Sequence, residues 1–256
     1  MPELNKPHPV AEPDWLHPHI ARFFLWSGVV VVLTLIVAQG FIMGFIPGLS
    51  PALDAADVAR YFIEHRYSIL LGALLQCICW TLWITWSTVI MAFQRKMERG
   101  LPLLTYASLV TNGGGYVFFL LIPMTWSVLA FRADVLDPQF MQSANDWVWF
   151  DWLYTWPPFA LWMILIGVSI LTDKNEKKTF PRWLAFYNFW SALLIAPAGL
   201  IAFFKTGPFA YDGIISFWFA VFVFFGWICT MTIMGFRAVA AAERAQNAQS
   251  VTVRAD

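Results

Sequence analysis

Charge is the scarcest property of this sequence. Only 12% of its 256 residues are Asp, Glu, Lys or Arg, about half the share of an average soluble domain. The few charges gather into short intervals, separated by apolar runs at residues 23–46, 67–93, 103–131, 148–171, 183–204 and 213–236. A soluble fold needs a polar shell around its core, and these runs leave none. About 20 apolar residues suffice to cross the hydrocarbon as a helix, so each run reads as a membrane span.

Other scarcities exclude whole classes of chemistry. The four histidines, His8, His17, His19 and His65, all fall outside the runs. Membrane haem proteins draw axial ligands from their helices, so haem is not expected. No lysine lies in a run, which excludes a retinal Schiff base within the helices. Asp151, near the outer end of the fourth run, is the one charged residue inside any of them. Proton relays need ionisable groups near the midplane, so no relay is expected either.

Cys77, Cys79 and Cys229 are the only cysteines. Cys77 and Cys79, two apart on a helix, point to different faces and cannot pair or share a metal. His17 and His19 beside Asp14 sit on a proline-rich arm, which makes a poor metal site. Net charge is zero and no basic block is longer than a few residues, so nucleic acid is not a partner. We expect no catalytic residue, no cofactor and no metal.

Three regions follow: a polar, proline-rich arm at 1–22, a transmembrane domain at 23–238 and a polar tail at 239–256. No short signal-type hydrophobic region precedes the first run, which reads as an uncleaved span. Lys and Arg set the orientation. Twelve lie in the arm (Lys6, Arg22), the loops at Arg95–Arg99 and Lys174–Arg182, and the tail (Arg237, Arg244, Arg254). Four, Arg60, Arg66, Arg132 and Lys205, lie in the alternate intervals. The expectation is an all-α bundle of six transmembrane helices with both termini cytoplasmic, in a bacterial inner membrane.

Between the first two runs, Ala55, Val58, Ala59, Phe62 and Ile63 recur at helical spacing behind a capping Asp54. This reads as a short amphipathic helix on the outer surface, or else as a lid. A weak internal echo has an offset of 79: Gly100-Leu101-Pro102 matches Thr179-Phe180-Pro181, Trp83 matches Trp162, and Arg95 matches Lys174. Parallel duplication of hairpins is one route to a transporter, but these matches are too few to establish it.

Two stretches are candidate sites. Asn112-Gly113-Gly114-Gly115 in the third run is either a close helix contact or an unwound segment, with Asn112 as a polar contact to a ligand. At the head of the fourth run, Asn145, Asp146, Trp147, Trp149, Asp151, Trp152, Tyr154, Trp156, Pro157 and Pro158 crowd together. They read as an aromatic belt at the outer boundary, or as a vestibule floored by Asp151, with Trp152 and Trp156 in its wall. Asp146 and Asp151 diverge by about 140° on one helix, which disfavours a paired acid–base role. Lys205, in the loop between the last two runs, is placed to reach Asp151 or Asp212.

Phe180-Pro181-Arg182-Trp183, the string Phe203-Phe204-Lys205-Thr206-Gly207-Pro208-Phe209-Ala210 and the amphipathic stretch before the second span resemble a bacterial family of six-span membrane proteins. The resemblance covers roughly residues 55–235. It implies topology and carries no activity. The aromatic, charge-free interior points to binding or transport of a small apolar or amphipathic molecule. The alternatives are an accessory subunit of another membrane complex, or an enzyme if Asp146 and Asp151 converge with Glu64 or His65.

Overall fold

The computed structural model describes residues 17–255, with side chains to residue 248. The arm up to residue 16, with His8 and Asp14, therefore lies outside the described residues. All regular structure among them is helical: α1 (Pro18–Leu35), α2 (Ala55–Glu64), α3 (Arg66–Met97), α4 (Leu103–Phe131), α5 (Pro138–Leu153), α6 (Trp156–Thr172), α7 (Trp183–Leu194) and α8 (Ala220–Ala255). Wider π-helical turns extend α1 over Ile36–Ile42 and open α8 over Ile214–Phe219, and a 3-10 stretch continues α7 over Ala196–Ala202. Six of the resulting rods are long and apolar enough to cross a membrane. The expected six-span all-α fold is what the chain forms.

The fourth rod departs from the expected run. Helix begins at Pro138, ten residues early, because Asp137 accepts from the amides of Gln139 and Phe140 and Pro138 suits the first turn. It then breaks between Leu153 and Trp156. Pro157 and Pro158 have no amide hydrogen to continue the ladder, and the Thr155 hydroxyl instead donates to the Asp151 carbonyl at 2.6 Å.

The loops sort into two ends. At one end, Arg22 at the start of α1 pairs with Glu243 near the end of α8. At that same end the α3–α4 and α6–α7 loops exchange bonds: Arg99 donates to the Lys174 carbonyl at 3.0 Å and Asn175 to the Lys96 carbonyl at 3.0 Å. Lys96 and Asn175 are themselves 79 apart, the offset of the sequence echo. At the opposite end Arg66 donates to the Phe131 carbonyl, and Gln142 to that of Leu53. There α2, capped by Asp54, buries Val58, Ala59 and Phe62. Tyr61 on α2 donates to the Met43 carbonyl at 2.7 Å, so the amphipathic helix is packed onto the bundle and not merely laid on it. Ile63, expected on its apolar face, is exposed.

Most of the large buried side chains are tryptophans. Trp80, Trp83, Trp86, Trp126, Trp149, Trp162 and Trp227 are all fully buried. Trp80, Trp83 and Trp86, three apart, share one face of α3. Trp83 lies with its ring centroid 4.9 Å from Trp86 and 5.9 Å from Trp162. Trp162 lies 5.3 Å from Trp227. Four of the indoles donate to buried polar side chains: Trp83 to Asn112 (2.9 Å), Trp86 to Thr232 (2.9 Å), Trp227 to Asn188 (2.8 Å) and Trp126 to Asn145 (3.4 Å).

Glycine makes room for these rings. A Cβ on Gly28 would fall 2.2 Å from Trp86, and one on Gly48 2.2 Å from Trp149. Gly115 meets Phe159 in the same way, at 2.8 Å, whereas nothing lies within 4 Å of a Cβ on Gly113 or Gly114. Overpacking costs roughly 1–3 kcal/mol. Gly28→Ala should therefore lower the melting temperature of the purified protein in detergent by several degrees. Gly114→Ala should leave it unchanged or raise it, since alanine favours helix by about 1 kcal/mol. Equal losses in the two variants would contradict this placement of the glycines.

Candidate functional site

The third-run candidates do not form a site together. α4 runs unbroken through Asn112, Gly113, Gly114 and Gly115, so no carbonyls are freed there. Gly113 and Gly114 face outward, and Gly115 packs on Phe159. Asn112 is buried and accepts from the Trp83 indole at 2.9 Å. The ring's need for an acceptor in a low-dielectric interior accounts for an asparagine at this position.

The break in the fourth rod gathers space around it. A groove of about 610 Å³ runs along its outer face, between α4 and the α5–α6 junction. Phe118, Trp147, Phe150 and Tyr154 give it an apolar wall, and Asp146, Asp151, Ser143 and Thr155 give it polar points. Asp146 and Asp151 both border it, although they diverge on the helix. Behind the junction lies a smaller space of about 40 Å³, bordered by Trp152, Trp156, Phe119 and Phe224. A third space, about 260 Å³, opens between the two π-helical stretches, with Gln39 and again Trp152 at its edge. Asp151, Trp152 and Trp156 thus each border a cavity, on different sides of one break.

The belt and vestibule readings divide these residues between them. Trp147, Phe150 and Tyr154 are exposed toward the lipid side, as a belt requires. Trp149 and Asn145 turn inward, and Asp151 is only 7% exposed. One of its carboxylate oxygens, Oδ2, has no hydrogen-bond partner in the structure, nor has the Trp152 indole nitrogen. Trp156 lies over Gly199, whose hydrogen leaves room for the ring: a Cβ there would sit 2.7 Å from the indole nitrogen.

Asp146 is engaged differently. Tyr211, in the loop before α8, donates its phenol to Asp146 Oδ1 at 2.8 Å. Lys205 lies close enough to act on Asp146 electrostatically, and among the described residues it makes no ion pair with Asp151 or Asp212. Tyr211 also stacks on Trp149 at 5.6 Å, which ties the outer loop to the aromatic core. In the sequence the signal for Tyr211 is slight: a tyrosine between the Gly-Pro and Asp-Gly turns. The residues proposed for an enzyme are separately occupied: His65 stacks on Tyr61 at 4.1 Å, and Asp146 is held by Tyr211.

Comparison with family models, with curated proteins and with solved structures finds no match to this chain. The site therefore rests on its own geometry.

Burial, and after it the negative charge of Asp146, hold the Tyr211 phenol above its ordinary value. A group raised in this way lends stability that is complete below its unfolded pKa, about 10 for tyrosine, and is lost as pH rises toward the folded value. The unfolding midpoint should accordingly fall above about pH 10, and less steeply in Tyr211→Phe than in the wild type. Identical slopes for the two proteins would contradict a phenol held protonated between Trp149 and Asp146.

Proposed function

We propose that this is a binding protein of the bacterial cytoplasmic membrane, with both termini inside. In this reading it takes a small amphipathic molecule into the groove at the α5–α6 break. The observation that carries the proposal is the groove itself: about 610 Å³, bordered by the aromatic rings of Phe118, Trp147, Phe150 and Tyr154 and by Ser143, Asp146, Asp151 and Thr155. Its volume falls within the range of about 300–1,000 Å³ usual for small-molecule sites. Apolar walls with a few convergent polar groups match a molecule with a tail and a head.

The bundle interior favours binding over passage. Buried indoles fill it, and the space behind the groove, at about 40 Å³, has room for only a water or two. The orientation rests on the unequal distribution of Lys and Arg, and the pairing of Arg22 with Glu243 supports both ends lying on one side.

Ser143 is exposed at the groove and outside the core, so Ser143→Trp should fill the space without disturbing the bundle. In melting experiments on protein purified in a nonionic detergent, at least one single-chain amphiphile from a panel of varied headgroups should raise the wild-type midpoint by several degrees. Ser143→Trp should fold normally and lose that shift. Equal shifts in both proteins, or none in either, would overturn the groove as a binding site and turn the reading toward an accessory subunit.

A further inference from the structure

We propose that the protein holds an anionic phospholipid at the end of the bundle where the α3–α4 and α6–α7 loops meet. Its phosphate rests on the basic face of those loops, and one of its chains lies in a groove along α7. The proposal is independent of the groove at the α5–α6 break.

Charge is scarce in this chain, yet six exposed cations gather in these two loops: Arg95, Arg99, Lys174, Lys177, Lys178 and Arg182. The bonds from Arg99 to the Lys174 carbonyl and from Asn175 to the Lys96 carbonyl hold the loops together. Two of the acids in the same stretches are turned inward. Glu98 caps α4, accepting from the amides of Leu104 and Thr105 at 2.7 and 2.9 Å and from the Thr105 hydroxyl at 2.7 Å. Asp173, 6% exposed, accepts from the amides of Asn175 at 2.9 Å and Thr179 at 3.2 Å. Glu176 alone remains exposed. Three of the cations do make side-chain bonds, but to carbonyls: Arg95 to Glu98, Arg99 to Lys174 and Lys178 to Asp173. No ion pair among the described residues engages any of the six. Their charge is therefore left uncompensated, and it complements a phosphate.

Position decides which anion. Arg95 lies in the last turn of α3 and Arg182 immediately precedes α7, so the face sits where spans leave the apolar region. Along α7, Phe186, Phe189, Trp190 and Leu193 line a groove of about 170 Å³. Phe186, Trp190 and Leu193 are also exposed, as side chains turned toward lipid are. Arg182 has helical backbone angles, φ −58° and ψ −33°. Its spacing of four to Phe186 and eight to Trp190 therefore puts it above the groove on the same side of the helix. Trp183 beside it is exposed, as an indole at headgroup depth is. A cation above an apolar groove matches an anionic head with a chain in the bilayer. A soluble acidic peptide would engage the charges and leave the groove unused.

The test is native mass spectrometry of the full chain in a nonionic detergent, titrated with dioleoyl phosphatidylglycerol or dioleoyl phosphatidylcholine. Each Lys or Arg near an anionic surface changes affinity about fivefold, so the wild type should bind the first phosphatidylglycerol at least about tenfold more tightly. Lys174, Lys177 and Arg182 make no side-chain hydrogen bond, so replacing all three with Gln leaves the loop contacts in place. That variant should lose the preference. Gln at Arg60, Arg132 and Lys205, which removes the same charge from the opposite end, should keep it. Leu193→Trp, which fills the groove from its lipid side, should weaken phosphatidylglycerol binding severalfold. Equal affinity for the two lipids in the wild type, or equal losses in the two triple variants, would overturn the basic face as a lipid site. Unchanged binding by Leu193→Trp would overturn the groove as the seat of the chain. Displacement of the bound lipid by equimolar hexaglutamate or glycerol phosphate would assign the face to a soluble anion and overturn the lipid.

Discussion

An indole buried at the centre of a membrane bundle imposes two demands at once. Its flat ring needs a neighbour that can come close, and its N–H needs an acceptor where water is absent. Four of the seven fully buried indoles meet both demands, while those of Trp80, Trp149 and Trp162 have close neighbours but no acceptor. Gly28 and Gly48 bring helix or loop backbone against Trp86 and Trp149. Asn112, Asn188, Asn145 and Thr232 supply acceptors from four different segments. Each bond joins two separate elements, so the polar residues that look out of place in apolar spans serve as cross-ties between rings and helices. In lipid there is little hydrophobic force between helices, and association leans on such packing and bonding.

The aromatic core also explains where the functional space lies. The rings of α3, α4, α6 and α8 interlock along the bundle and leave little room on its axis. Toward the end opposite the termini, a second cluster of Phe45, Trp126, Trp149, Tyr211 and Phe217 closes the structure. Space remains where the ladder of the fourth rod fails, at Pro157 and Pro158. A helix that breaks beside a carboxylate and bordering aromatics produces a groove on the membrane side, and the proposed binding reading is built on it.

Much of the fold could be read from residues. The apolar runs gave the six spans because a membrane helix is specified by length and composition, which sequence displays directly. The cap at Asp54 and the amphipathic spacing behind it identified α2. The two loops that the offset of 79 relates lie together and exchange bonds. The site was less legible, for physical reasons. Whether Asn112 faces a ligand or an indole depends on a partner 29 residues away, which periodicity does not reveal. Three consecutive glycines allow either a close contact or a break; the intact ladder of α4 keeps them helical, with Gly115 packed on Phe159 and the other two facing outward. A single indole prefers the membrane boundary, yet seven here are buried in the bundle, where the rings pack on one another and four find acceptors. The crowd at the head of the fourth run divides into an outward set and an inward cluster, a division that depends on the break before Pro157 and Pro158.

The central claim is that the indole–acceptor pairs are cross-ties and not incidental contacts. The most direct measurement is a double-mutant cycle on the pair 2.9 Å apart, Trp83 and Asn112. Unfolding free energies of the wild type, Trp83→Phe, Asn112→Leu and the double variant would be compared in one detergent. The account predicts that the double variant is less destabilised than the sum of the singles, by a coupling of roughly 0.6–1.7 kcal/mol, the span of measured membrane hydrogen bonds from average to strongest. Strict additivity would contradict it, because the indole and the amide would then be stabilising the bundle independently of one another.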